Sequence, residues 1–301
     1  MSEIDDNVIS WDDSVVPSQD TNKENKQTSR SMKLNKRKIG VIGNNYLSDA
    51  MRSAFDSKLT EKKQVASSEL SSLIEWKPNL VFVCQDIPFL KTDVLDDASF
   101  IDTIIKLAKT EAGICIKTSI NIDIYNKIVA AVGEQYVETR IVYSPEVEED
   151  ALSILNSEFV MIGGSMSAVK SYNEILMSST VLSMKEVLYD TISNIILTKL
   201  GLSGFKAVKQ TFFNQFHQFI MDLGNTNPTT IRKMMLKHPM ISDTTLTLPT
   251  FVRAQSDPET SFKQSISFGG EYSNTDVKLL VGMTDKLSVV DECVNLRNLK
   301  D

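Results

Sequence analysis

Beyond about residue 36, short apolar runs alternate with segments whose apolar residues recur every three or four positions. Lys38-Ile-Gly-Val-Ile-Gly43 predicts a strand and glycine turn, and Asp49 to about Leu59 a helix. A weak strand is expected at Gln64-Val-Ala66 and a helix near Glu69–Trp76. Asn79–Cys84, Gly113–Lys117, Arg140–Tyr143 and Phe159–Gly163 read as buried strands, with helices expected at Phe100–Thr110 and Asp123–Val132. Strands and helices alternating at this spacing predict an α/β fold, a Rossmann-like doubly wound parallel sheet covered on both faces. From Ser167 the rhythm turns helical: Ser167–Met177, Met184–Leu200, Phe205–Leu223 and Pro228 to about Lys237. In the second of these, Leu188, Thr191, Ile192, Ile195 and Ile196 make the expected buried stripe. A loop-like stretch runs from Pro239 to Gly270, and a last helix from Asp276 to about Leu287 or beyond.

The helix Phe205–Leu223 stands out. Phe205, Val208, Phe212, Phe216, Phe219 and Leu223 share one face, and Phe213 and Ile220 widen it. So much phenylalanine needs apolar partners on more than one side, which predicts a central or interfacial helix. Gly201 and Gly204 just before it predict a kink, because glycine weakens a helix interior.

Residues 1–36 follow neither rhythm and read as a disordered, acidic and polar arm. Within it, Val8–Pro17 holds Trp11 among acids and aliphatics, either a docking peptide for a protein partner or a tail with one stray tryptophan. The organisation expected is therefore arm 1–36, Rossmann-like domain 37–165 and helical dimerisation-type domain 166–301 with a long central helix.

Charge narrows the classes. A formal net charge of −7 argues against a dedicated nucleic-acid binder, and no apolar run has the length of a membrane span. Cys84, Cys115 and Cys293 are isolated and odd in number, as expected of reduced thiols in a cytoplasmic setting. Two histidines, His217 and His238, leave no histidine-rich metal centre.

Six pieces, in order, resemble the nucleotide-sugar (UDP-glucose) dehydrogenase family. Lys38-Ile-Gly-Val-Ile-Gly43-Asn-Asn-Tyr46-Leu-Ser48 resembles its opening Lys-Ile-x-x-Ile-Gly-x-Gly-Tyr-Val-Gly. Lys117-Thr-Ser119-Ile-Asn121 is similar to Lys-Ser-Thr-Val-Pro, and Ser144-Pro-Glu146-Val-Glu-Glu-Asp150 to Asn-Pro-Glu-Phe-Leu-Arg-Glu. Val160-Met-Ile-Gly-Gly164 is similar to Ile-Val-Ile-Gly-Gly. Lys199, Ser203, Lys209, Phe212, Asn214 and Gln215 follow the polar spacing of the family's central helix. Gly269-Gly-Glu-Tyr272-Ser-Asn-Thr-Asp276 falls where the family has Gly-Gly-Ser-Cys-Phe-Pro-Lys-Asp.

The resemblance implies an NAD-binding domain followed by a helical domain whose central helix builds a homodimer, here through 205–223. It places catalytic or structural polar groups at Lys199, Asp276, Glu146 and Asn214, and dinucleotide contacts at Gly43, Tyr46 and Ser119. It does not carry the chemistry with it. The family's nucleophilic cysteine falls on Tyr272, whose phenol cannot replace a thiolate in thiohemiacetal formation. Asn45 and Ser48 stand at two of the three fingerprint glycines, Ser67 or Ser68 at the ribose-binding acid, and Ser203 at the catalytic asparagine. Lys199 and Asp276 then read as a leftover ion pair or helix cap. The family's third α/β domain follows the last helix, and a chain ending at Asp301 is expected to lack it. The reading is a degenerate homologue without cofactor, a structural or interaction subunit of a larger assembly, with a viral particle as one setting. The alternative is an active NAD-dependent oxidoreductase on a nucleotide sugar or related alcohol.

Overall fold

The computed structural model describes residues 36–55, 58–90, 95–147, 151–176, 185–235, 237–238, 271–284 and 286–298. The arm, its Val8–Pro17 island, the stretch 239–270 and the side chain of Tyr272 lie outside the described residues.

Seven strands form one sheet: β1 (Arg37–Ile42), β2 (Thr60–Val65), β3 (Leu80–Val83), β4 (Gly113–Ile116), β5 (Ile141–Tyr143), β6 (Phe159–Gly163) and β7 (Glu186–Asp190), in the order β2-β1-β3-β4-β5-β6-β7. Between β1 and β2 lies α1 (Tyr46–Ser53), and α2 (Leu70–Glu75) precedes β3. Next come α3 (Ala98–Ala108), α4 (Ile122–Val132) and α5 (Glu134–Arg140), then α6 (Ala151–Asn156) and α7 (Met166–Leu176) flanking β6. After β7 the chain is helical: α8 (Ile192–Asp222), α9 (Pro228–Met235), α10 (Glu271–Val281) and α11 (Ser288–Asn298).

Strand alternation divides the core in two. Ile39, Val41, Phe82, Cys84, Cys115, Val142, Val160 and Ile162 pack on one face with Leu47 and Met51 of α1, Ile154 of α6 and Tyr172 of α7. Ile42, Val81, Val83, Ile114, Ile116, Ile141 and Met161 pack on the other with α2, α3 and α4 and with α8, α10 and α11. The helical half is thus part of the same core as the sheet.

Four expectations need correction. The sheet is not wholly parallel: β5 meets β6 antiparallel at Tyr143↔Gly163, and β6 and β7 run together. The connection between β5 and β6 contains only the short α6 among the described residues, so the chain re-enters the sheet without a full crossover. Second, residues 186–190 are a strand, so the sheet extends past the boundary expected at 165. Thr191 starts the helix instead: its side chain accepts from Asn194 N at 3.2 Å, while Asp190 Oδ1 accepts from Thr191 N at 2.6 Å.

Third, α8 runs unbroken for 31 residues, about 46 Å, through both glycines. Gly204 serves close approach: a Cβ there would lie 2.8 Å from Leu280 Cδ2 of α10. The buried face of α8 is Ile192, Ile196, Leu200, Ser203, Ala207, Thr211 and Asn214. Phe205, Phe212 and Phe219 point away, more than half exposed, with Phe212 and Phe216 stacked at 5.8 Å. Fourth, the C-terminal helix is two, and α10 starts at Glu271. The sequence reading also missed α5, which takes Arg140 from the strand; Gly133, at φ 87°, ends α4 before it.

Candidate functional site

A cavity of about 380 Å³ opens where the ends of β3 and β4 meet the N-terminus of α1 and the helices α8 and α10, with Tyr46, Asp86, Lys117, Ser119, Glu146, Lys199 and Asp276 in its lining. Such a position, outside the carboxyl ends of parallel strands, is where doubly wound sheets hold ligands.

Two buried ion pairs line it. Lys117 leaves the end of β4 and meets Glu146, three residues past β5, at 2.5 Å; its ammonium also donates to Ser144 Oγ at 3.1 Å. Burial, the largest single influence, pushes the Lys117 pKa down, but the Glu146 carboxylate together with Cys115 and Cys84 holds it above its ordinary value. The second pair joins α8 to α10: Lys199 Nζ lies 2.7 Å from Asp276 Oδ2. Ser203, one turn beyond Lys199, donates to the same oxygen at 2.7 Å and accepts from Lys199 at 3.4 Å. Asp276 Oδ1 is buried and has no hydrogen-bond partner among the described residues. Burial first, and then the Asp276 carboxylate, raise the phenol of Tyr143 far above its ordinary pKa.

The glycine turn lies at the other wall. Gly43 has φ 140°, and a Cβ there would sit 2.8 Å from the Cys84 carbonyl oxygen, so only glycine fits. Asn45 is extended, with φ −129°, and is the N-cap of α1. Its side-chain oxygen accepts from Ser48 N at 3.1 Å, and Ser48 Oγ accepts from Asn45 N at 3.0 Å, a closed capping box. Its amide nitrogen donates to Cys84 O at 2.7 Å and to Asp86 Oδ1 at 2.8 Å. Gln64 of β2 completes the closure, donating to Gly43 O and to Ser48 Oγ, each at 3.0 Å. Beyond β2, Ser67–Glu69 form a 3₁₀ turn with Glu69 exposed.

Of the residues singled out from sequence, the structure brings Tyr46, Ser119, Glu146, Lys199 and Asp276 to the cavity, and Gly43 is not in its lining. Asn214 lies 15 residues beyond Lys199, about 22 Å along α8, buried but outside the lining. Tyr272 stands one turn before Asp276 in α10. Lys117 and Asp86 are not legible as site residues from sequence, and Ser203 is legible only as the replacement of the family's asparagine. A lysine closing an all-apolar strand was the available signal for the first. Cys84 and Cys115 are buried beside this site, and burial pushes both thiols up, Cys115 to about 11, so neither is a thiolate near neutral pH. Among the described residues no cluster of histidine, cysteine and acids is placed to hold a metal ion, and no helix is long and apolar enough to cross a membrane.

No protein-family model and no curated protein sequence matches the chain. Solved structures do match. A UDP-D-ManNAc dehydrogenase from Pyrococcus horikoshii superposes with TM-score 0.64 at 14% identity, over 87% of this chain and 68% of that one. A UDP-glucose dehydrogenase from Pyrobaculum islandicum gives 0.65 at 11% identity, over 91% and 70%. A 3-hydroxyisobutyrate dehydrogenase from Mycobacterium tuberculosis gives 0.59 at 10% identity, over 86% and 92%. At such identities the likeness is one of architecture, and in that sense the resemblance read from the six sequence pieces holds: the chain has the fold of the nucleotide-sugar dehydrogenases.

Proposed function

We propose that the chain is a catalytically degenerate nucleotide-sugar dehydrogenase homologue that works as a structural or interaction subunit and binds no dinucleotide. The closed turn at α1 carries this reading. A dinucleotide pyrophosphate needs the N-terminus of the first helix open and backbone at close range. Here Asn45 takes the Ser48 N–H, and the Asp86 carboxylate lies 2.8 Å from the Asn45 amide, adding negative charge where phosphates would arrive. The residues do not fit the group. The position of the family's nucleophile, at Tyr272, agrees with this reading.

The same proposal assigns the exposed phenylalanines of α8 to a homo-oligomer contact. Phe205, Phe212 and Phe219 recur every seven residues, a spacing that forms a helix–helix seam with a second copy. Light scattering should find a dimer of the full chain, and Phe212→Glu should shift it to monomer.

The decisive test is titration of the full chain with NAD and NADH by thermal shift and calorimetry, followed by absorbance assay with UDP-glucose. No stabilisation and no NADH formation are expected. Stabilisation near 2.7 kcal/mol, the value for a ligand at about one hundred times its Kd, would overturn the proposal. One observation favours a second reading, an NAD-dependent oxidoreductase with altered substrate: Lys199, Ser203 and Asp276 remain a connected polar group beside the cavity. Turnover lost in Lys199→Met would support it.

A further inference from the structure

The two edges of the sheet are built differently. β2 at one edge reads Thr60-Glu-Lys-Lys-Gln-Val65, and its charges guard against the addition of another strand. β7 at the other edge reads Glu186-Val-Leu-Tyr-Asp190, and all five residues are exposed, the apolar three at 40–42%. Val187 and Tyr189 fall on one face of the strand and Leu188 on the other. Among the described residues, apolar side chains are therefore uncovered on both faces of this edge.

Among the described residues its outer backbone is also unpaired. Glu186 N donates to Glu158 O at 3.0 Å, and Gly164 N donates to Asp190 O at 3.2 Å. Backbone direction alternates along a strand, so residues 186, 188 and 190 turn their N–H and C=O groups to β6. Val187 and Tyr189 present theirs on the outer side, where no described strand pairs with them.

We infer that β7 takes up an extended segment of another protein as an eighth strand, and that this segment has an apolar centre and a basic residue at each end. Charge selects this occupant over a second copy. An antiparallel copy pairing through Val187 and Tyr189 centres on Leu188 and sets Glu186 of each chain opposite Asp190 of the other. Those are two like-charge pairs, and directly opposed like charges destabilise a strand pair. Lysine or arginine at the same two places turns both into attractions. Asp190 uses Oδ1 to hold Thr191 N and the Asn194 amide, and its negative charge remains at the strand end. The inference is independent of whether the cavity binds a dinucleotide.

The test uses the full chain and two labelled peptides, with cores Lys-Val-Thr-Val-Lys and Glu-Val-Thr-Val-Glu. Fluorescence anisotropy should find the lysine peptide bound about tenfold tighter at low salt, the gap closing as salt is raised. Hydrogen exchange should slow at the amides of Val187 and Tyr189, with little change at Leu188. Val187→Pro removes an outer donor while sparing the bonds to β6 and should abolish binding. Leu188→Lys keeps the backbone intact and should weaken the lysine peptide by like-charge repulsion. Equal affinity for the two peptides, or unchanged exchange at Val187 and Tyr189, would overturn the inference. So would a concentration-dependent dimer that Val187→Pro dissolves, since the second copy would then be the occupant.

Discussion

Removing the carboxylate of Glu146 should destabilise the protein more than any loss of packing at that position would suggest, and the deficit should depend on pH. Lys117 and Glu146 face each other at 2.5 Å with side chains 1% and 6% exposed. Glu146→Gln keeps the volume but leaves an ammonium buried without a counter-charge, which costs about 3–5 kcal/mol. In thermal unfolding this corresponds to roughly 6–20 °C for a domain of this size. The sign of the pH dependence follows from the Lys117 pKa, which the folded state holds above its ordinary 10.5. A raised lysine contributes stability that is fully present below 10.5 and lost as pH rises through the folded value. Without Glu146 the strongest opposition to burial is gone and the folded pKa falls, so the variant loses less stability than wild type as the lysine gives up its proton. Cys84, Cys115 and Tyr172 also feel the Glu146 charge, and the Lys117→Met protein run through the same pH series separates their part of the change. Urea unfolding of wild type, Glu146→Gln, Lys117→Met and the double variant, from pH 7 to pH 11, measures all of this. The gap between wild type and Glu146→Gln should narrow at alkaline pH, and the double variant should be far less destabilised than the sum of the singles. A gap below 1 kcal/mol, a gap constant with pH, or additive singles would refute the reasoning.

Other substitutions separate the roles of individual residues. Gly204→Ala should lose about 1–2 kcal/mol in urea unfolding, because its Cβ would press on Leu280 Cδ2 at 2.8 Å. Gly201→Ala, with nothing within 4 Å of its Cβ, should gain up to about 1 kcal/mol from helix propensity alone. Asn45→Ala should cost about 1 kcal/mol as a lost N-cap, measured by thermal unfolding, and should not create NAD binding. Gly43→Ala should cost well over 2 kcal/mol by the same measurement, because both the backbone angle and the Cys84 carbonyl reject a side chain.

Sequence patterns revealed the sheet where strands were continuous apolar runs, as at Leu80–Val83 and Phe159–Gly163, because such runs have one burial state and no competing period. They failed at Glu186–Asp190. Leu188, Thr191, Ile192, Ile195 and Ile196 fit a helical stripe as well as they fit a strand, a cap and a helix start. The cap at Thr191 was the distinguishing signal. The phenylalanine face of α8 was legible as a face, but periodicity cannot say which side of a helix meets the chain's own core. Small residues decided that: Ser203, Gly204 and Ala207 allow α10 and α11 to approach, and the larger rings point away. In the candidate site, Lys199, Glu146 and Asp276 could be picked from their motifs. The Lys199–Asp276 pairing was legible too, but the Lys117–Glu146 and Ser203–Asp276 contacts were not, since they join residues 29 and 73 positions apart.

The paired groups of the cavity also bear on how such a site changes over time. When a reaction is no longer selected, an isolated catalytic side chain can drift away one substitution at a time. Lys199 and Asp276 cannot, because losing either strands its buried partner, and the intermediate is much less stable than either end point. A buried pair of this kind can therefore persist whether or not a reaction is selected, and its presence in a cavity does not by itself report activity.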